Sequence, residues 1–319
     1  MADEDCRDLP GDRVLSYALA VLAACANAVS SVLQRKANRS QPRQRTLNWR
    51  LLAGLLRRPV WLGGLLAVIA GFGLQAAALA FGELAAVQPV LVLELPATLA
   101  LSSLVFRSRL RGREWGCALA MTVSVAVLLY LLAPSGGPVR RLPWHEWVLG
   151  LGVTVAVVLG LVGWARRGLA RQPGSRPAAL LGVAAGMLFG LTAALMKGTT
   201  AAFGRGVAAV VTGWQFYGMI AAGATAMFLV QMAMNTGRLI ATQPGLTLAD
   251  PIVALLWGVF GFHERVRGGG LVVPEIACAA VLAASVLVLA RSPVLSAADR
   301  PEQPATPRPS HREASCSDS

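Results

Sequence analysis

Two stretches of the chain read alike. Leu84-Ala85-Ala86-Val87-Gln88-Pro89-Val90-Leu91-Val92-Leu93-Glu94-Leu95-Pro96 is matched by Leu239-Ile240-Ala241-Thr242-Gln243-Pro244-Gly245-Leu246-Thr247-Leu248-Ala249-Asp250-Pro251. Pro89 and Pro244 are 155 residues apart, as are Pro96 and Pro251, and an acid precedes the second proline in each copy. Each stretch lies inside an apolar run, and crossing about 30 Å of hydrocarbon takes about 20 apolar residues in a helix. The decisive reading is therefore an acid and two prolines placed, twice, in a membrane-crossing helix.

Working outward, runs of this length recur at 14–34, 59–82, 86–106, 115–133, 147–164, 178–198, 207–236, 239–262 and 272–291. The seventh is long for one crossing and short for two, and is expected to be one tilted helix. The fold class expected is an all-α polytopic membrane protein of about nine transmembrane helices. The composition agrees: 55% of the 319 residues are apolar, 14% are charged, and mean hydropathy is +0.58. Soluble domains carry about 25% charged residues. The first run is not read as a signal peptide, because Asp3, Glu4, Asp5, Asp8 and Asp12 replace the basic segment such a peptide needs.

The net charge of +13 would in a soluble protein point to nucleic acid. Its distribution says otherwise. With nine crossings, 21 of the 29 Lys and Arg fall on one side and seven on the other, while Lys197 lies inside a span. Lys and Arg accumulate on the cytoplasmic side, so the N-terminus is expected outside and the C-terminus in the cytoplasm of a plasma-membrane protein. The partners expected are the bilayer, a small-molecule or cation substrate and at most a second copy of the chain, with no nucleic acid. Trp144-His145-Glu146-Trp147 falls at an outer boundary, where tryptophan belts belong and where His145 is expected to be solvated.

The first and sixth runs also correspond. Ala20, Ala24 and Ala28 fall on Gly182, Gly186 and Gly190, a small-residue stripe along one helical face that lets another helix approach closely. Runs one to four and six to nine then form two four-helix repeats. The single helix between them makes the repeats insert in opposite orientations, a recurrent plan of secondary transporters. The organisation expected is an acidic N-terminal tail (1–13), a first repeat (14–134), a connecting helix with loops (135–177), a second repeat (178–291) and a disordered cytoplasmic tail (292–319).

Ser30-Ser31-Val32-Leu33-Gln34-Arg35-Lys36-Ala37, then Ala80-Phe81 leading into Leu84-Ala85-Ala86-Val87-Gln88-Pro89, then Gly112, Gly116-Cys117 and Ala133-Pro134 resemble one known group of proteins. It is the drug/metabolite transporter superfamily, EamA-like, and nearest within it the NIPA-type magnesium transporters. Phe262-His263-Glu264-Arg265-Val266 is similar to the Glu-Arg signature closing the fourth helix of that superfamily's repeat. The resemblance covers about residues 14–291 and implies nine spans and transport. Where NIPA-type proteins carry an acid and then an amide in the second helix, this chain has Phe72 and Gln75, and it has Glu94 and Asp250 inside spans instead.

Glu94 and Asp250 sit near the middle of their spans, where an unpaired carboxylate is costly. They are the first candidates to bind a cationic substrate or exchange protons; the alternative is a structural acid bonded to a neighbouring helix. Gln88 and Gln243 are cavity amides or partners of helix starts. Gln75 and Gln231 are ligands or interhelical glue. Asn27 faces a cavity or packs, and Tyr217, clustered with Trp214 and Gln215, is an aromatic wall for an organic cation or an interfacial residue. Lys197 is expected to snorkel to the boundary, with pairing to an acid as the alternative.

No phosphate-cradling loop, His-Glu-x-x-His or Gly-x-Ser-x-Gly occurs, and no cysteine pair has metal-site spacing. Neither an enzyme nor a cofactor is expected. A membrane-embedded transferase would want an Asp-rich or His/Asp constellation, and a scaffold would leave two midplane acids without purpose. The expected function is a secondary transporter moving a small organic solute or cation by alternating access, with magnesium or another divalent cation as the alternative substrate. An epitope tag on the N-terminus of intact cells is expected to be antibody-accessible, and one on the C-terminus only after permeabilisation; the reverse pattern would overturn the nine-span orientation.

Overall fold

The computed structural model describes residues 10–39, 59–105, 112–132, 142–171, 175–203, 206–236, 239–264 and 272–290. Of these residues 94% are helical and none is in a strand. A helix satisfies its own backbone bonds, which is what hydrocarbon without water demands. The helices are α1 (Pro10–Arg39), α2 (Pro59–Phe81), α3 (Leu84–Leu91), α4 (Glu94–Val105), α5 (Gly112–Leu132), α6 (Trp144–Arg171), α7 (Ser175–Thr200), α8 (Val207–Val211), α9 (Trp214–Thr236), α10 (Leu239–Leu256) and α11 (Val272–Ala290). A π-helical turn, Trp257–Gly261, closes α10. Eight spans among the described residues are long and apolar enough to cross a membrane, and Val273–Leu289 is a shorter apolar helix. The protein is thus a multi-pass membrane protein by its helices. The tail at 292–319 and most of the N-terminal tail lie outside the described residues.

Three apolar runs are interrupted, each for a local reason. The run at 86–106 is divided at Val92 and Leu93. Pro96 has no N–H to offer the Val92 carbonyl, and Leu95 N–H bonds it instead at 3.1 Å, tightening the chain there. The run at 207–236, expected as one tilted helix, is two helices separated by Thr212 and Gly213. Gly213 N–H reaches back only three residues, to the Val210 carbonyl, and Thr212 Oγ1 takes the Ala208 carbonyl. This correction removes the excess length, leaving a 23-residue α9. The run at 239–262 ends in the π-turn, where Phe262 N–H bonds the Trp257 carbonyl five residues back at 2.8 Å.

Helix α7 is the centre of the molecule. In its most apolar stretch 72% of residues are buried, against 17% in α6, which sits at the lipid-facing periphery. Gly182, Gly186 and Gly190 explain this. A Cβ on Gly182 would lie 2.5 Å from the Thr242 carbonyl oxygen, one on Gly186 2.5 Å from that of Leu246, and one on Gly190 2.6 Å from that of Asp250. Both residue numbers rise together along this contact, so α7 and α10 run in the same direction. Helix α9 runs against α7, with Gly218 beside Leu195 and Gly223 beside Thr192.

Around α1 the same relations hold. Helix α2 runs against it: Ser16 Oγ donates to the Ala78 carbonyl at 2.9 Å, and Gly64 packs on Gln34. The α3–α4 segment runs with α1, from Ser16 beside Gly82 to Ser31 beside Glu94. Ala20, Ala24 and Ala28 are all buried. Overpacking a tight contact costs about 1–3 kcal/mol, so Gly186→Ala is expected to lower the thermal midpoint in detergent. Gly73→Ala, with nothing within 4 Å of the new Cβ, is expected to leave it unchanged or slightly raised.

Candidate functional site

A cavity of about 240 Å³ opens between the helices packed on α1 and those packed on α7. Its wall includes Asn27 from α1, Phe72 and Gln75 from α2, Thr192 and Met196 from α7, and Asp250 from α10. Asn27, Gln75 and Asp250, expected from residue type and depth, are therefore brought together. Phe72, at the position where the resemblance leads one to look for an acid, contributes an apolar wall beside them.

Asp250 is held by two local features. Its carbonyl rests on Gly190, and the next residue, Pro251, lacks the N–H that would bond the Thr247 carbonyl. The Asp250 Oδ1 atom is buried and has no hydrogen-bond partner among the described residues. Glu94, at the start of α4, stands close enough for the two carboxylates to repel one another. Its own carboxylate accepts bonds from Ser31 Oγ, at 3.4 Å, and from the Asn27 side chain. Asn27 thus joins the two acids, touching one and lining the cavity with the other. A satisfied carboxylate beside an unsatisfied one, at a cavity lined with amides and aromatic rings, can accept a cation or a proton.

The remaining candidates are placed elsewhere. Gln88 is buried within α3 and does not line the cavity, and its Nε2 atom has no hydrogen-bond partner among the described residues. Gln231 is exposed on α9, away from the site. Tyr217 is 58% exposed and packs edge-to-face on Phe216, turned outward, so it is no wall for a substrate. Both outward placements have the same reason: the buried face of α9 is that of Met219, Ala222, Ala226, Leu229 and Ala233, and neither residue lies on it. The side chain of Gln243 lies outside the described residues. Among those described, no group of three or more His, Cys, Asp or Glu could hold a metal ion.

A second polar cluster lies where α2, α7 and the π-turn end. Lys197 does not snorkel. It is buried, ion-paired to Glu264, and donates to the Gly82 carbonyl at 3.3 Å. Glu264 accepts the Leu84 and Ala85 N–H groups at 2.7 and 2.8 Å, filling the N-terminus of α3. Glu83 is buried beside this pair. Trp147 is buried as well, not part of an interfacial belt, and stacks among Trp214, Trp257 and Phe262; Trp144 is the exposed one. Glu146 pairs with His263, at 3.1 Å, and His145 is exposed. The signal for this cluster was available in principle: one lysine inside an apolar run requires an anion nearby, and Glu264 is the acid that follows the eighth run.

Burial, the largest effect, pushes the Glu83 carboxyl above its ordinary value, with Glu264 adding to it and Lys197 and Arg13 opposing. A raised folded-state value means that the native protein binds this proton more tightly than the unfolded chain, so the contribution to stability falls as pH rises. Glu83→Gln is expected to raise the thermal midpoint at pH 7, with the gain shrinking as pH falls toward the ordinary glutamate value of 4.5. A loss of stability at neutral pH would contradict this.

No family model matches the chain, and no solved structure matches it. An uncharacterized protein of Corynebacterium glutamicum is 32% identical over 255 residues, covering 78% of this chain and 86% of that protein. Identity of this extent reaches across most of the helical region, and the chain belongs to the same family as that Corynebacterium glutamicum protein.

Proposed function

We propose that the protein is a secondary transporter of the drug/metabolite type, moving a small organic solute or cation across the plasma membrane by alternating access. The observation that carries this reading is Asp250: a buried acid with an unpartnered oxygen on a cavity wall, with Glu94 beside it. Buried polar groups are nearly always satisfied, so an orphaned carboxylate oxygen needs an explanation. A bound cation or proton is one.

The architecture supports the same reading. The pairing of α1 with α2 and α3–α4 parallels that of α7 with α9 and α10. The start of α3 lies against the end of α10, so these two segments run oppositely. Two inverted four-helix repeats, with α6 between them and Val273–Leu289 as the ninth span, account for these relations. Interrupted helices at a repeat interface are where such transporters bind their substrates. The N-terminus is assigned outside and the C-terminus inside. No catalytic step on this chain is part of the proposal.

Flux into vesicles reconstituted with the protein, under an imposed pH gradient, tests it across a panel of organic cations and Mg²⁺. A hydrogen bond to a charged group contributes about 1.5–3 kcal/mol, so Glu94→Gln and Asp250→Asn are each expected to cut the supported flux about tenfold or more at low substrate. If both variants transport like the unsubstituted protein, the acids are not the coupling site. Flux of Mg²⁺ alone would move the assignment to the NIPA-type alternative.

A further inference from the structure

The Lys197–Glu264 pair is spent neither on the cavity nor on lipid, and its construction is specific. It joins three segments: the end of α7, the Gly82 junction between α2 and α3, and the residues that follow the π-turn. Lys197 directly follows Met196, a cavity residue, so the pair stands immediately beyond one end of the cavity. Both side chains are nearly inaccessible to solvent, at 6% and 3%. The Lys197 ammonium lies 5.3 Å from the centre of the Phe262 ring, which is itself packed on Trp147. A buried ion pair offsets its desolvation only when further hydrogen bonds satisfy its remaining donors and acceptors. Two backbone N–H groups and one carbonyl do that here.

The equivalent sequence positions of the other repeat lack the residues to copy it. By the repeat offsets, Lys197 corresponds to Arg35, Glu83 to Arg238 and Glu264 to Ser108. No acid stands at these three equivalent positions of the other repeat.

We infer that Lys197, Glu264 and the N-terminus of α3 form a lock that closes the cavity at the end where α2 and α7 finish, and that the chain rests with that end shut. In the orientation proposed above this is the external end, so the resting state faces inward. The inference rests on the alternating-access reading, but its test needs no substrate. A reporter cysteine replaces Thr192, on the cavity wall, in full-length protein whose five native cysteines are replaced. A membrane-impermeant methanethiosulfonate is applied to intact cells and, separately, to inverted vesicles.

The reporter is expected to react faster from the side bearing the C-terminal tail. Lys197→Met, and independently Glu264→Gln, is expected to raise labelling from the opposite side about tenfold, a shift that a two-state equilibrium gives when one state loses its particular contact. Either variant suffices, provided that it elutes as a single folded species in detergent. A folded variant that stays protected on that side overturns the lock, and equal labelling of the unsubstituted reporter from both sides overturns the resting state. Absence of flux for every solute, with the labelling as expected, would count against the transport reading alone.

Discussion

The approach of α10 to α7 is the contact on which the rest of the molecule depends. Three carbonyl oxygens of α10, from Thr242, Leu246 and Asp250, lie where side chains on Gly182, Gly186 and Gly190 would have to be. Between helices in lipid no hydrophobic force drives association, and packing at close range takes its place. The close fit sets the depth and rotation of α10, and so decides which way Asp250 faces. It also makes α7 the most enclosed helix, with α9 and α10 against it and the cavity wall running along its Thr192–Met196 turn.

Charge inside hydrocarbon is handled in two opposite ways. Lys197 and Glu264 are drawn into one network of ion pair, carbonyl and helix N-terminus. At Asp250 an oxygen is left without a hydrogen-bond partner among the described residues, and the charge that acts on it is that of another acid, Glu94. The first arrangement holds segments together and leaves nothing for a ligand. The second leaves a carboxylate oxygen unsatisfied on a cavity wall, and that contrast is the physical basis for the proposed reading of one as structure and the other as a site.

Much of this was legible from residue types. Apolar runs of about 20 residues marked the helices, and spacing by four marked the glycine face. Depth along a span placed Glu94 and Asp250 each near the middle of its helix run. Rotation about a helix axis was not legible where composition is apolar all round: in α9 nothing in the pattern tells Gln231 and Tyr217 that they face away. Nor was the interruption at Thr212-Gly213, because it depends on a single backbone bond falling three residues back. Lys197 was misread because its partner is 67 residues away.

The sequence by itself therefore determined the solvent, where the long apolar helices lie and the two acids set against prolines. These follow from properties of single segments: hydropathy, length and the missing N–H of proline. Only the tertiary structure decided that Asn27, Gln75 and Asp250 share one cavity, that Glu264 fills the start of α3 and that Lys197 is buried. Each of those depends on the rotation of one helix against another, which is set by side-chain contacts between distant segments and leaves no period in the chain.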